Sequence, residues 1–193
     1  MIIAFTGAGI SRDSGIPTFD ENPELRDSLD RTYARLHPDK FSEVMKTLQD
    51  TCEAAKPNSA HIKLAELGIP TITMNIDGLH GQAIQSVDGD PSTLLEIHGS
   101  VFENNVVLYG DHAPQYATAN DWIRKLRRGD ILLVVGTSYY TTISTMLVAL
   151  ARSMGVQVFE VNSDAEHQVP DFLERHQSQI ESMETFRQRE IMF

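Results

Sequence analysis

Several short polar clusters in this chain carry residues able to hold a phosphorylated ligand or move a proton. Gly7-Ala8-Gly9-Ile10-Ser11 has the glycine spacing that lets backbone approach a diphosphate, with N–H groups available to point at the charge. A dinucleotide fingerprint would place a third glycine where Arg12 stands, so taken alone the cluster reads more readily as a tight turn. Asn75-Ile76-Asp77-Gly78 sets an amide and a carboxylate two residues apart, and on extended backbone they share a face. The same residue types favour a turn in any protein. His98, followed by Gly99 and Ser100, offers an imidazole that accepts a proton near neutral pH. An isolated histidine more commonly makes a structural hydrogen bond. Gly136-Thr137-Ser138 and Asn162 add hydroxyl and amide groups.

Each cluster follows a short, mostly apolar run, of the kind expected for strands covered on both faces. The runs are Ile2 to Phe5, Thr71 to Met74, Leu94 to Ile97, Ile131 to Val135 and Val156 to Val161. Helical patterns lie between them, at Pro38 to Ala54, Ser59 to Leu67 and Thr142 to Met154, the last followed by Gly155 as a C-terminal cap. On Pro38 to Ala54 the residues Phe41, Val44, Met45 and Leu48 share one face. Alternation of strand and helix predicts an α/β fold with a doubly wound, Rossmann-like parallel sheet. Polar clusters at the carboxyl ends of the strands then stand where such sheets bind ligands. Residues 1–193 read as one domain, and 20–57, polar and without an obvious strand, as a helical insert.

The clusters occur in an order that resembles the sirtuin family. Gly7 to Phe19, with Gly15-Ile16-Pro17-Thr18 at its end, is similar to that family's first signature. Thr73 to His80 resembles the second, and Glu96-Ile97-His98-Gly99-Ser100 the third. Val106-Val107-Leu108-Tyr109-Gly110-Asp111, Gly136-Thr137-Ser138 and Val161-Asn162 match further blocks, and Lys56 to His61 resembles the segment leading into the next helix. The resemblance runs from about residue 2 to residue 163. It implies an NAD-dependent enzyme that moves the acyl group of an acyl-lysine side chain to ADP-ribose and releases nicotinamide. His98 would be the base, and Asn75 would orient the ribose and a water. Asp77 would hold the nicotinamide carboxamide through its acceptor oxygens. Gly7, Ala8, Gly9, Ser11, Ile76, Gly136, Thr137, Ser138 and Asn162 would complete the cofactor site, and Phe19 would cover the reacting ribose. Val106, Val107, Tyr109 and Gly110 would pair with an extended substrate peptide, and Tyr139 would belong to the opposite wall. Each has a plainer counterpart: core packing for Phe19, helix capping for the hydroxyls, an ordinary edge strand for 106–110. An NAD hydrolase or ADP-ribosyltransferase on the same scaffold is the alternative.

The chain departs from the family in several places. Sirtuins commonly carry a four-cysteine zinc ribbon between the catalytic histidine and the peptide-binding segment, but here His98 and Val106 are close and the sole cysteine is Cys52. No metal is expected, and Cys52 reads as a helix-packing residue in a reducing compartment. Asp20 stands where the family has an arginine, close to the expected diphosphate, with Arg12 or Arg26 placed to compensate. Met74 replaces a glutamine. Members that take negatively charged acyl groups set a tyrosine three residues before an arginine; Tyr33 and Arg35 are two apart, so simple acetyl-like groups are expected. With 16 Lys and Arg against 27 Asp and Glu the formal net charge is −11, which argues against nucleic-acid binding. No apolar run reaches membrane-spanning length, and no charged leader precedes Ile2, so a cytoplasmic location is expected.

Overall fold

The computed structural model describes residues 1–103, 105–138 and 141–181. Five parallel strands make one sheet: β1 (Ile2–Thr6), β2 (Thr71–Thr73), β3 (Leu94–Glu96), β4 (Ile131–Val135) and β5 (Gln157–Val161). Their spatial order is β3-β2-β1-β4-β5, so the winding reverses between β1 and β4. Such a reversal forces the loops after those two strands apart and opens a crevice at the carboxyl edge of the sheet.

Eight α-helices accompany the sheet among the described residues: α1 (Pro23–Ser28), α2 (Arg31–Leu36), α3 (Pro38–Ala54), α4 (Ser59–Glu66), α5 (Leu79–Ser86), α6 (Tyr116–Lys125), α7 (Thr142–Ser153) and α8 (Ala165–Arg175). Alternate residues of β1 and β4 feed opposite cores, as the two-residue period of a strand requires. Ile2, Ala4, Leu133 and Val135 pack with Ala60 and Leu64 of α4 and Val169 and Leu173 of α8. Ile3, Phe5, Leu132 and Val134 pack with Ile123 of α6 and Leu147, Val148 and Ala151 of α7. Both strands are buried along their whole length, which explains their unbroken apolar sequences.

The strand and helix boundaries lie within a residue of those expected. β2 stops at Thr73, although the Met74 N–H still bonds to the Thr6 carbonyl. α7 ends at Ser153 and closes through Gly155 at φ 75°. Helices α5, α6 and α8 escape the sequence reading. α5 springs directly from the Asn75-to-Gly78 cluster, and α8 contains Pro170. A proline removes the bond its N–H would give four residues back. Here the Glu166 carbonyl accepts the Ser59 hydroxyl instead, tying α8 to α4.

Helices α1, α2 and α3 fall within 20–57. Leu48 and Cys52 of α3 are buried against Ile16, Leu29, Val101 and Leu108 in a third apolar cluster, with Phe41 and Met45 at its margin. The 106–110 segment, expected to be β-prone, is not a strand of the sheet; Tyr109 makes a single parallel bridge to Asp30. Among the described residues no helix is long and apolar enough to cross a membrane, and no group of three His, Cys, Asp or Glu side chains could hold a metal.

Candidate functional site

A cavity of about 830 Å³ opens at the topological switch point. Its floor is the close meeting of two loops. Gly7 is extended and starts a 3-10 helix, Ala8–Ser14, while Gly136 ends β4 at φ 60°. A Cβ on Gly136 would lie 2.4 Å from Gly9 Cα and from Ile10 N, and one on Gly9 would lie 2.5 Å from Gly136 Cα. The glycines therefore serve backbone contact. The Gly7 and Gly9 N–H groups donate to the Val135 and Gly136 carbonyls, which corrects the expectation that they point at a phosphate. Gly7, Ala8, Gly9, Gly136, Thr137 and Ser138 all line the cavity nonetheless.

Behind this floor lies a buried polar network. Ser11 is fully buried and absent from the cavity wall, so direct contact with ribose or phosphate is not its place. Its hydroxyl donates to Asp77 Oδ2 at 2.7 Å, and Asn75 Nδ2 donates to both Ser11 Oγ (3.0 Å) and Asp77 Oδ2 (3.1 Å). The Leu79 N–H at the start of α5 gives to Asp77 Oδ1 at 3.0 Å. Asn75 and Asp77 thus do share a face, and both line the cavity with Ile76. Burial raises the Asp77 pKa, and its donors, Ser11 first, pull it back.

His61 completes the network. Its Nδ1 lies 3.0 Å from Asn58 Oδ1 and takes the Asn58 backbone N–H at 3.4 Å, closing the capping box of α4. Nε2 faces Ser11 Oγ at 3.4 Å, farther from it than Asp77 Oδ2. Asn58 also donates to the Ile10 carbonyl and caps α4. His80 packs against His61 with ring centroids 4.8 Å apart and shares a 2.9 Å bond with Thr6 Oγ1. Burial lowers the pKa of both, His80 to about 4. From sequence, His61 and His80 stand out only as the ends of two segments that resemble the family. The spacing of Asn58 and His61, a capping residue and its third helical position, was the available signal.

His98 stands just past β3. Its Nδ1 is 3.1 Å from the Met74 carbonyl, so Nδ1 carries the hydrogen and the Nε2 lone pair is the basic site. Burial lowers its pKa, which keeps the ring neutral. Its own carbonyl accepts the Val107 N–H, joining it to the 106–110 segment. Val106, Val107, Tyr109 and Gly110 line the cavity on this side. Tyr109 is pinned by bonds from its N–H to the Leu29 carbonyl and from the Arg31 N–H to its own carbonyl. Tyr139 lies outside the described residues. Glu96, two residues before His98, was not singled out from sequence; burial, then Glu103 and Asp77, push its pKa up to about 7.

The remaining residues form the rim. Phe19 is half-buried, edge-on to Tyr109 at 6.4 Å. Its loop is held by Glu21, which accepts from Thr18 and pairs with Arg12. Arg12 pairs with Glu21 and Arg26 with Asp27, while Asp20 is exposed at the rim. Thr137 is buried, with its hydroxyl 3.4 Å from the Val135 carbonyl, and Asn162 is an exposed lining residue. The N-cap of α7 is Thr141, not Thr137 or Ser138, so capping does not account for those two.

Comparison with known proteins places these features in a family. Residues 7–105 match the family model described as Sir2 family. The chain is 30% identical over 218 residues to an NAD-dependent protein deacetylase of Bacillus thuringiensis subsp. konkukian, covering 89% of this chain and 84% of that one. It superimposes on a crystal structure of a Sir2 homolog–NAD complex with a TM-score of 0.78 at 20% identity, over 93% of this chain and 90% of the other. A structure of Sir2 bound to acetylated peptide gives 0.72 at 22% identity, over 91% and 92%. The span of the family match, which takes in the glycine loop, the Asn75–Asp77 network and His98, and the near full-length similarity to the deacetylase show that this chain belongs to the Sir2 family.

Proposed function

We propose that the chain is an NAD-dependent protein-lysine deacylase whose reacting groups meet in the cavity between the β1 and β4 loops. The observation that carries this is a convergence on one wall: the neutral Nε2 of His98, the Asn75 amide and the Asp77 carboxylate all open on the same space, beside the 106–110 segment. The floor also fits a dinucleotide, because the small residues Gly7, Ala8, Gly9, Gly136, Thr137 and Ser138 line it, with the Gly9–Gly136 backbone contact holding the two loops together.

When bound, NAD would supply an electrophilic ribose carbon and a nicotinamide leaving group. Gly7, Ala8, Gly9, Gly136, Thr137 and Ser138 would hold its phosphates and riboses, and Asn162 its outer ribose. Asp77 would keep an acceptor turned toward a carboxamide, with Ser11 and His61 behind it as positioning residues. Asn75, anchored to Ser11 and Asp77, would orient a ribose hydroxyl and a water. His98 would take a proton from that hydroxyl at Nε2, with the Met74 carbonyl fixing its tautomer. Phe19 would exclude bulk water. The partner is an acyl-lysine peptide or protein laid along 106–110; Tyr109 is engaged with Leu29 and Arg31 and Leu108 with Asp111, so pairing along the other edge would displace the Asp111 contacts.

The test is incubation with NAD, with and without an acetyl-lysine peptide, following nicotinamide. Peptide-dependent release supports a deacylase. Equal release without peptide assigns the chain to NAD hydrolysis, where water replaces the acyl oxygen.

A further inference from the structure

We infer that the Asp111 carboxylate caps the edge along which a substrate peptide pairs, standing in for the peptide's own carbonyl, and that the peptide must displace it from the Leu108 N–H in order to bind. This rests on the deacylase reading above. The hydrogen bonds of the 106–110 segment divide between two edges. The Val107 N–H goes to the His98 carbonyl and the Tyr109 N–H to the Leu29 carbonyl. Backbone groups of successive extended residues point to opposite edges, so Leu108 presents its N–H and C=O on the other one. Both are taken by a single residue. The Leu108 N–H donates to Asp111 Oδ2 at 3.1 Å, and the Leu108 carbonyl accepts the Asp111 N–H at 3.0 Å. The second bond closes a four-residue turn, with Gly110 at φ 91° in its third position. A chain that turns at 108–111 does not run on as an open strand, and its one outward edge is already filled.

The surroundings of Asp111 distinguish a cap from a strut. Asp111 lines the cavity together with Val106, Val107 and Leu108, on the side from which a peptide arrives. Arg31 of α2 grips the carboxylate from behind, Nε donating to Oδ1 at 2.8 Å and Nη2 to Oδ2 at 2.5 Å. These bonds hold the Asp111 carboxyl below the usual carboxylate range, so it is an anionic acceptor at neutral pH. The Arg31 side chain is half-exposed, and an ion pair open to water adds little to stability. The segment does not depend on it. Val107 keeps its bond to His98, and Tyr109 its bonds to Leu29 and Arg31, whether or not the carboxylate is present. Displacement is an exchange. Oδ1 stays with Arg31 Nε, the carboxylate gives up Leu108, and the incoming peptide carbonyl takes its place. Arg31 thereby provides Asp111 with a partner in both states. Removing the Asp111 side chain would open the edge and leave the segment anchored.

The experiment measures deacylation of an acetyl-lysine peptide by the unaltered protein, by Asp111→Ala and by Asp111→Asn, varying peptide at saturating NAD and NAD at saturating peptide. Asp111→Ala should lower the peptide KM about threefold to tenfold, the worth of one hydrogen bond, with kcat and the KM for NAD changed by less than about twofold. Asp111→Asn keeps an oxygen for the Leu108 N–H without the charge, so its peptide KM should fall between the other two. A peptide KM that is unchanged or raised in Asp111→Ala would make Asp111 a strut and overturn the cap. The unaltered protein provides a second reading that needs no variant to fold. Its Leu108 amide and Asp111 carboxyl-carbon resonances should both shift when the acetyl-lysine peptide is added to saturation. Peptide bound with both resonances unmoved would also overturn the cap. A peptide that is neither bound nor deacylated by any of the three proteins would overturn the deacylase reading and the cap with it, a result distinct from a raised KM.

Discussion

The Ser11 hydroxyl donates to Asp77 Oδ2 at 2.7 Å, from a position that never touches the cavity. Ser11→Ala would leave Asp77 buried with one donor fewer, and Asn75 with Asp77 as its remaining acceptor. The expected cost is about 1–3 kcal/mol in unfolding free energy, with weaker NAD binding as the wall loosens. Denaturant melts and calorimetry read the two effects separately. A loss of NAD affinity with stability untouched would put Ser11 in direct contact with the ligand, contrary to its burial.

Gly136→Ala should be worse. The new Cβ would sit 2.4 Å from Gly9 Cα, on backbone at φ 60°. Neither loop has a flexible side chain there to yield. A loss on the order of 3 kcal/mol is expected from strain and overlap together. Gly129→Ala, also at positive φ but with nothing near its Cβ, isolates the backbone part. Thermal unfolding of the two variants should differ clearly.

His98→Ala should lower formation of deacylated peptide at least about a hundredfold, the usual worth of a general base. Exchange of labelled nicotinamide into NAD should persist, because it precedes the base's step. In the unaltered enzyme the neutral ring is the active form, and burial holds the His98 pKa below 6.5. Activity should therefore be flat through neutrality and fall only as pH drops beneath that value. An acid limb centred above it would mean that another group is titrating.

Asp20→Arg should tighten NAD binding by about fivefold at low salt, with the gain shrinking as salt is added. Asp20 is exposed on the rim, where Arg12 is paired with Glu21. Titration at two ionic strengths checks both halves of the expectation. A folded variant that binds more weakly would show that Asp20 has a task of its own.

Acid stability should reveal two opposed pairs of buried groups. His61 and His80 have depressed pKa values when folded, so the unfolded chain binds more protons and stability falls as pH drops below 6.5, toward about 4 for His80. Glu96 and Asp77 are raised, so the folded chain binds more protons; for Glu96 stability rises as pH falls from about 7 to 4.5. The unaltered protein should show a shallow Tm profile across that window. Glu96→Gln removes one compensating group and should make Tm drop more steeply between pH 6.5 and 4.5. Parallel profiles for the two proteins would show that Glu96 is not protonated on folding.

The framework was legible in the sequence because β1 and β4 are buried on both faces, and their one polar residue is the terminal Thr6 of β1. Every polar cluster at a strand end was legible for the same reason: it interrupts an apolar run. α8 was harder to see, since Pro170 argues against a helix unless the Ser59 hydroxyl is known to take the orphaned carbonyl. The distinction between Ser11 and its neighbours was also hidden. Gly9 lines the cavity and Ser11 backs it, a consequence of 3-10 geometry that residue type does not announce. The third apolar cluster depends on packing between 20–57 and 106–110, segments far apart in the chain. No periodicity reports how completely two such faces fill one another.

The short path from His98 to the helices has a mechanical meaning. His98 is bonded to Val107, Tyr109 is bonded to Leu29 and Arg31, and each link is backbone to backbone. Leu29 also lines the cavity. The 20–57 helices are thus coupled to His98 through backbone alone, with no side-chain rotamer in the path to absorb a shift. Movement of the helices and the setting of the His98 backbone are one displacement in this protein.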